Sequence, residues 1–335
     1  MFRSLQRFRI LQRPLYALVV LAGLLVSSET AVRAEEVRAP GPTGPLAGTL
    51  LSAPGHSAGV LILPGSGPID RDGLFSKGLG PNTYRLLAEG LAQEGISSLR
   101  VDKRGLFESA AATADPNDVT LDAYGQDVAA WVSVMRGRTG LACIWLLGHS
   151  EGGLVALKAV ARADLRGAVC GLLLVAAPGR PLGVLLREQL AQNPASAPLL
   201  AEAERVIAQL ERGEPVPENE LPPELASLFA PRLQGYLIDL LAHDPAKMLG
   251  ATSLPLLILQ GEQDLQVQVE DARRLARARP DAELHLLAGV THVLKAVTST
   301  ERQDNLATYT DPHRPVPPEI IGHLARFIAD HAPSE

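Results

Sequence analysis

The chain is poor in aromatic residues, at 4% of 335, although 46% of it is hydrophobic. An aliphatic core, rich in alanine and leucine, is therefore expected. Only two cysteines occur, Cys143 and Cys170. That count excludes a disulfide-framed small domain, and their spacing fits no zinc site. No apolar run reaches the roughly 20 residues that a membrane-spanning helix needs. No repeat at a period of roughly 20–50 residues is visible, which excludes solenoids and propellers. No glycine fingerprint for a dinucleotide is present. There is no basic excess either, the formal net charge being −6.

The N-terminus carries the first positive signal. Arg3, Arg7, Arg9 and Arg13 precede the apolar run "LYALVVLAGLLV" (15–26), and "SSETAVRA" follows, ending in small residues. Charged, apolar, small is the order of a secretory signal peptide. Residues 1–34 are assigned to it, with cleavage after Ala34 and Val32 at the third position back. The alternative is a membrane anchor formed by residues 15–26; no lipoprotein-type cysteine follows the run. Removing 1–34 takes away five arginines and one glutamate, so 31 basic and 37 acidic residues become 26 and 36, a formal net of −10. So acidic a protein is a poor partner for nucleic acid or an anionic membrane surface. A periplasmic or secreted protein with no stable membrane partner after cleavage is expected. An oxidising compartment permits a disulfide. Cys143 and Cys170, however, fall at or near the starts of neighbouring parallel strands, where bridge geometry is often strained. Two buried thiols are the expectation.

Along the rest of the chain, short apolar runs alternate with helical patterns. "AGVLILPGSG" (58–67), "ISSLRVDKRG" (96–105), "CIWLLGHS" (143–150), "AVCGLLLVAAPG" (168–179), "LPLLILQGEQD" (254–264) and "AELHLLAG" (282–289) read as strands running into loops. Between them, "TYRLLAEGLAQEG" (83–95) and "TLDAYGQDVAAWVSVMRG" (120–137), with Thr120 as cap, read as helices. "EGGLVALKAVAR" (151–162) and "EIIGHLARFIADH" (319–331) do likewise. Strands apolar on both faces, alternating with helices, imply a mainly parallel sheet covered on both sides. "GPLAGTLLSAPG" (44–55) suits antiparallel edge strands. Residues 179–253 contain no convincing strand, only helical stretches and a proline-rich acidic link, "GEPVPENELPPE" (213–224). They read as a helical cap over the carboxyl edge of the sheet, where such folds bind ligands. The α/β core is then 35–178 and 254–335.

The chemistry centres on Gly148-His149-Ser150-Glu151-Gly152. G-x-S-x-G alone occurs by chance in about one chain in ten of this length. Here it stands between a strand and a helix, in a turn so tight that only glycine fits beside the strained tip. Ser150 is thereby exposed at a helix N-terminus, whose dipole favours developing negative charge. A serine needs a base. Of the eight histidines, His292 in "LLAGVTHVLKAV" lies just after the last predicted strand, on the same sheet edge. His149 points away from its neighbour's side, His243 could reach in from the cap, and His313, His323 and His331 read as loop or helix-surface residues. The orienting carboxylate is Asp264, at the end of "LLILQGEQD". Its competitors are Glu262, in a turn, and Asp271, in a helix pattern with a solvated face. The backbone N–H groups of Glu151 and Ser66, with Gly67 as alternative to Ser66, are the candidate oxyanion donors. Asp70, Arg71, Asp72, Asp102 and Arg104 are expected to pair and brace loops rather than bind substrate.

Together these segments resemble the α/β-hydrolase superfamily, in its bacterial esterase and serine aminopeptidase-like (S33-type) branch. The likeness is carried by Gly65–Gly73 ("GSGPIDRDG"), Val101–Gly105 ("VDKRG"), Gly148–Gly152, Gln260–Asp264 ("QGEQD") and His292–Lys295 ("HVLK"). Two departures are Pro64, where many relatives have histidine, and "KRGLFES", which lacks a second glycine. The resemblance implies an eight-stranded sheet with a cap after strand 6, and a Ser150–Asp264–His292 triad in the order Ser-acid-His. It implies hydrolysis of a small carboxylic ester through an acyl-enzyme, without metal or organic cofactor. An aminopeptidase-like amide hydrolase, a thioesterase, or a binding module on a dead hydrolase scaffold are the alternatives.

Overall fold

In a computed structural model, residues 32–55, 58–75 and 78–332 are described. Eight strands form one sheet: β1 (Arg33–Ala39), β2 (Leu46–Ser52), β3 (Ala58–Leu63), β4 (Ile96–Val101), β5 (Ile144–His149), β6 (Val169–Val175), β7 (Leu256–Gly261) and β8 (Glu283–Leu287). Their order is β1-β2-β4-β3-β5-β6-β7-β8. β1 and β2 are antiparallel to their neighbours, and the six strands from β4 to β8 run parallel. The signal-peptide reading of residues 1–31 lies outside the described residues. Its boundary at Ala34 falls inside β1, so a chain cut there keeps the edge strand from Glu35 onward.

The helices are α1 (Thr83–Gln93), α2 (Leu121–Thr139), α3 (Glu151–Val160), α4 (Leu182–Gln192), α5 (Leu200–Glu211), α6 (Ala226–Phe229), α7 (Pro231–Leu241), α8 (Pro245–Leu249), α9 (Val269–Ala278), α10 (Arg302–Ala307) and α11 (Pro318–Asp330). Alternate strand residues point to opposite faces. Leu61, Leu172 and Leu174 therefore join the core under α2, α3 and α9. Val60, Ile62, Leu173 and Val175 join the core under α1 and α11. Thr120 starts α2 by accepting from the Ala123 N–H, and Gly140 ends it in a left-handed conformation.

The interval 182–249 holds five helices; α4 to α7 share a core of their own, built on Val206, Ile207, Leu210, Leu225 and Phe229, while α8 sends Leu249 into the core under α2, α3 and α9. The proline-rich link is fixed by buried Gln234, whose amide accepts from Val216 N–H and donates to the Val216 and Phe229 carbonyls. Polar contacts moor this layer to the sheet domain. Asp239 accepts from the Leu121 N–H at 2.6 Å, at the start of α2. Asp271 accepts from the Gly179 and Arg180 N–H groups at 3.0 Å and pairs with the Arg180 guanidinium. Asp271 is fully buried, which corrects the expectation of a solvated helix face. It sits in the first turn of α9, where a carboxylate is favoured by the helix dipole and here also holds the chain as it leaves β6.

The cysteine expectation is also corrected. Cys143 and Cys170 are joined by a disulfide, with Cα atoms 5.2 Å apart. The pairing of β5 with β6 explains it. Ile144 stands opposite Val169 and Trp145 opposite Gly171, so Cys170 is an extra, bulged residue. A bulge re-aims its side chain, which relaxes the strain expected of regular parallel pairing.

Candidate active site

Ser150 sits between β5 and α3 with φ 54° and ψ −125°, a conformation that side chains rarely adopt. Its N–H donates to the Val175 carbonyl at 3.0 Å, and the Gly153 N–H donates to its carbonyl at 2.9 Å. The flanking glycines are required by contact. A Cβ on Gly152 would collide with the Leu63 carbonyl, and one on Gly148 with the backbone of Gly152 and Gly153. A larger residue at either place would push the turn off the sheet.

Asp264, in the loop after β7, and His292, in the loop after β8, form a buried pair. His292 Nδ1 lies 2.8 Å from Asp264 Oδ2. Both carboxylate oxygens are saturated. Oδ1 accepts from the Gln266 and Val267 N–H groups at 2.7 and 2.9 Å, and Oδ2 also accepts from Gln260 Nε2 at 3.1 Å. A carboxylate that only accepts makes His292 Nδ1 the donor, which leaves Nε2 with a free lone pair. Ser150 and His292 both line a cavity of about 170 Å³ with Gly65, Ser66, Ile69, Phe75, Tyr84 and Tyr309. Among the described residues, no hydrogen bond joins Ser150 Oγ directly to the imidazole. Of the competitors, Glu262 is exposed in a turn and Asp271 belongs to the Arg180 contact.

Glu151 is the first residue of α3, where backbone N–H groups lack helical acceptors. Ser66 follows β3 and shares both cavities with Ser150. Neither N–H finds an acceptor among the described residues. Gly67 also lines the larger cavity, and its carbonyl accepts from Ile69. Lys103 braces this arrangement by donating to the Gly65 carbonyl at 2.8 Å and to the Glu151 carboxylate at 3.4 Å. The loop charges pair as expected. Asp102 accepts from the Arg71 N–H, Arg104 clasps Asp127 with two bonds, Arg100 meets Asp72, and Asp70 caps its own loop.

One part of the site had no local signal in the sequence. The Gly65 N–H donates to the Tyr84 hydroxyl at 2.8 Å. The His292 carbonyl can only accept, so neutral His149 carries its proton on Nε2 and donates to it at 2.8 Å. His149 Nδ1 then accepts from the Tyr84 hydroxyl, 3.0 Å away. A single chain of hydrogen bonds thus links the loop after β3, the turn at Ser150 and the loop of His292. Burial and then the neighbouring His292 lower the His149 pKa to about 3, so it stays neutral. Burial pushes the Tyr84 phenol well above its ordinary range. His149 is a brace, not a second base.

A larger cavity of about 370 Å³ opens on the other side of Ser150, beneath α4, α6 and α7. Its wall is mostly leucine (Leu154, Leu185, Leu186, Leu233, Leu237, Leu240), with Phe229, Tyr236 and His243. Arg180 and Glu151 also touch it, but each already has a charged partner.

Comparisons with known proteins agree with this architecture. Residues 81–212 match the family described as serine aminopeptidase, S33. Esterase EstD of Thermotoga maritima is 30% identical over 227 residues, covering 67% of this chain and 50% of that protein. The chain thus spans about half the length of that curated relative. Among solved structures, a thermophilic esterase from Thermogutta terrifontis superposes with a TM-score of 0.54 at 19% identity, over 89% of this chain and 100% of that one. The esterase Pf2001 of Pyrococcus furiosus gives a TM-score of 0.56 at 18% identity, over 90% and 91% of the two chains.

Proposed function

Because the chain belongs to the α/β-hydrolase superfamily, with esterases among its relatives, we propose that it is an exported serine hydrolase of carboxylic esters. The observation that carries this reading is a strained serine at a helix N-terminus that shares one cavity with His292, whose imidazole is held by the buried carboxylate of Asp264. Ser150 Oγ attacks the acyl carbon while His292 Nε2 takes its proton, through a hydrogen bond that forms as substrate binds. Asp264 holds the tautomer and stabilises the imidazolium. The Ser66 and Glu151 N–H groups receive the oxyanion. His292 then protonates the leaving alcohol, and water activated by the same nitrogen releases the acid.

The two cavities on either side of Ser150 support an order for the two halves of the ester. The alcohol must leave beside His292, into the smaller cavity. The acyl group then occupies the leucine-lined cavity under the cap. The leucine-lined cavity, at about 370 Å³, is roughly twice the size of the one beside His292, at about 170 Å³. Esters of small alcohols with apolar acyl chains fit best.

Amide hydrolysis is the second reading, favoured by the family description that residues 81–212 match. An aminopeptidase needs an acidic group free to hold the substrate amine. The carboxylate in the cavity wall, Glu151, is paired with Lys103, and the cap carboxylates Glu188, Glu204 and Glu211 are paired with Arg180 and Arg187. The ester reading therefore stands first. Export is supported by the pattern of residues 1–34 and by the Cys143–Cys170 disulfide, which suits an oxidising compartment.

The test is turnover of nitrophenyl esters of rising acyl length against aminoacyl anilides, for wild type and Ser150→Ala. Ester turnover should dominate and fall about 10⁴- to 10⁶-fold in the variant. Faster anilide turnover overturns the ester assignment, and retained activity in Ser150→Ala moves the nucleophile elsewhere.

A further inference from the structure

Away from the serine, on the opposite flank of β8, three donors converge that the reaction does not use. Glu283 and His285 are two residues apart on β8, so they share a face. That strand is the edge of the sheet, and the face they share is the one covered by α11. His323 comes from α11, which is held in place by Ile320, Leu324, Phe327 and Ile328 in the core and by Phe327 against Trp145. The His285 and His323 rings lie 3.8 Å apart between centroids. His285 Nε2 is 2.5 Å from Glu283 Oε1. One donor atom from each of the three side chains lies within 4.8 Å of the other two.

We infer that Glu283, His285 and His323 form a binding site for a divalent transition-metal ion of the zinc or copper kind. Two imidazoles and a carboxylate match the preferences of these ions, and three protein ligands leave a position for water. Bond lengths of about 2.0–2.1 Å at zinc place tetrahedral ligands roughly 3.4 Å apart. Closing from 4.8 Å needs only rotations of a half-exposed glutamate and of the imidazole rings. A second observation points the same way. His323 Nδ1 is buried without a hydrogen-bond partner, a state that costs free energy unless something satisfies it. A bound ion would pin α11 to the strand that leads into the His292 loop, without touching the reacting atoms.

The experiment is calorimetric titration of the mature protein with Zn²⁺, for wild type, Glu283→Gln and His323→Ala. Circular dichroism and turnover of a short ester check that each variant folds. Glu283 is half-exposed, so its variant keeps the test usable if His323→Ala does not fold. We expect one equivalent of Zn²⁺ on wild type, a rise in Tm, and at least about tenfold weaker binding in each folded variant with esterase activity unchanged. No binding at about 1 mM Zn²⁺ overturns the site, as does a folded variant whose affinity stays within tenfold of wild type.

Discussion

Tyr84→Phe isolates the hydrogen-bond chain between the loop after β3 and the His292 loop. The substitution deletes one oxygen and keeps the ring. The Gly65 N–H and His149 Nδ1 then lose their partner at once, and both are buried. Each buried group left unsatisfied costs about 1–3 kcal/mol, so for two groups the unfolding free energy should fall by about 2–6 kcal/mol. The catalytic consequence is separate. Gly65 precedes Ser66, and His149 both precedes Ser150 and holds the His292 carbonyl. A shift of about 1 Å in such parts costs about 10²-fold. We expect kcat to drop about 10- to 100-fold with KM little changed, since the leucine-lined cavity is untouched. The pH profile should change as well. Without the phenol proton aimed at Nδ1, the His149 pKa should rise, although burial and His292 still hold it low, and the acid limb of kcat/KM should move up with it. The assay is a pH series from about 4 to 9 on a short nitrophenyl ester, paired with urea unfolding. Loss of stability with kcat and pH profile unaltered would show that the chain of bonds is packing alone and refute the positioning role.

Other outcomes follow from single features. His149 has a folded pKa of about 3 against 6.5 when unfolded, so between those values the unfolded chain binds the extra proton. Stability should therefore decline as pH falls below about 6.5, by at most about 1.4 kcal/mol per unit from this group, and His149→Gln should flatten that slope in urea titrations. The disulfide spans 27 positions, so Cys143→Ser with Cys170→Ser should lower stability by about 3.5 kcal/mol by loop-closure entropy, read by thermal unfolding, with ester turnover retained. Leu237→Trp fills part of the larger cavity and should lower kcat/KM for ten-carbon acyl esters at least about tenfold while sparing butyrate. Equal losses for both lengths would place the acyl chain elsewhere.

What the sequence disclosed and what it hid divide along a physical line. The turn at Ser150 was legible because its requirements are local: an apolar strand, glycines that tolerate backbone at contact distance, and a helix directly after. The parallel sheet was legible because strands such as "GLLLV" are apolar on both faces. Long-range polar pairing was not. Tyr84 and His149 are 65 positions apart, and Tyr84 sits in an amphipathic helix where a buried tyrosine reads as core. Asp271 carries the sign of a helix start, which is what α9 also makes of it. Its burial depends on the Gly179–Arg180 backbone arriving from 91 and 92 positions away. The disulfide hinged on one bulged residue in β6, and spacing cannot reveal a bulge. β1 was missed because its first two residues overlap the signal-like segment.

The stretch from Asp264 to Asp271 joins the two halves of the proposed mechanism. The Gln266 and Val267 N–H groups hold the Asp264 carboxylate, and the same two residues line the larger cavity. The Gln266 carbonyl accepts from Gln189 of α4, and Asp271 fixes Arg180 just ahead of that helix. An acyl chain in the cavity therefore lies against the residues that orient the acid which orients the base. Substrate length and imidazole alignment are coupled through a few hydrogen bonds rather than across the whole domain. An acyl group too short to reach Val267 leaves that wall unsupported, so the length dependence should appear in kcat as well as in KM.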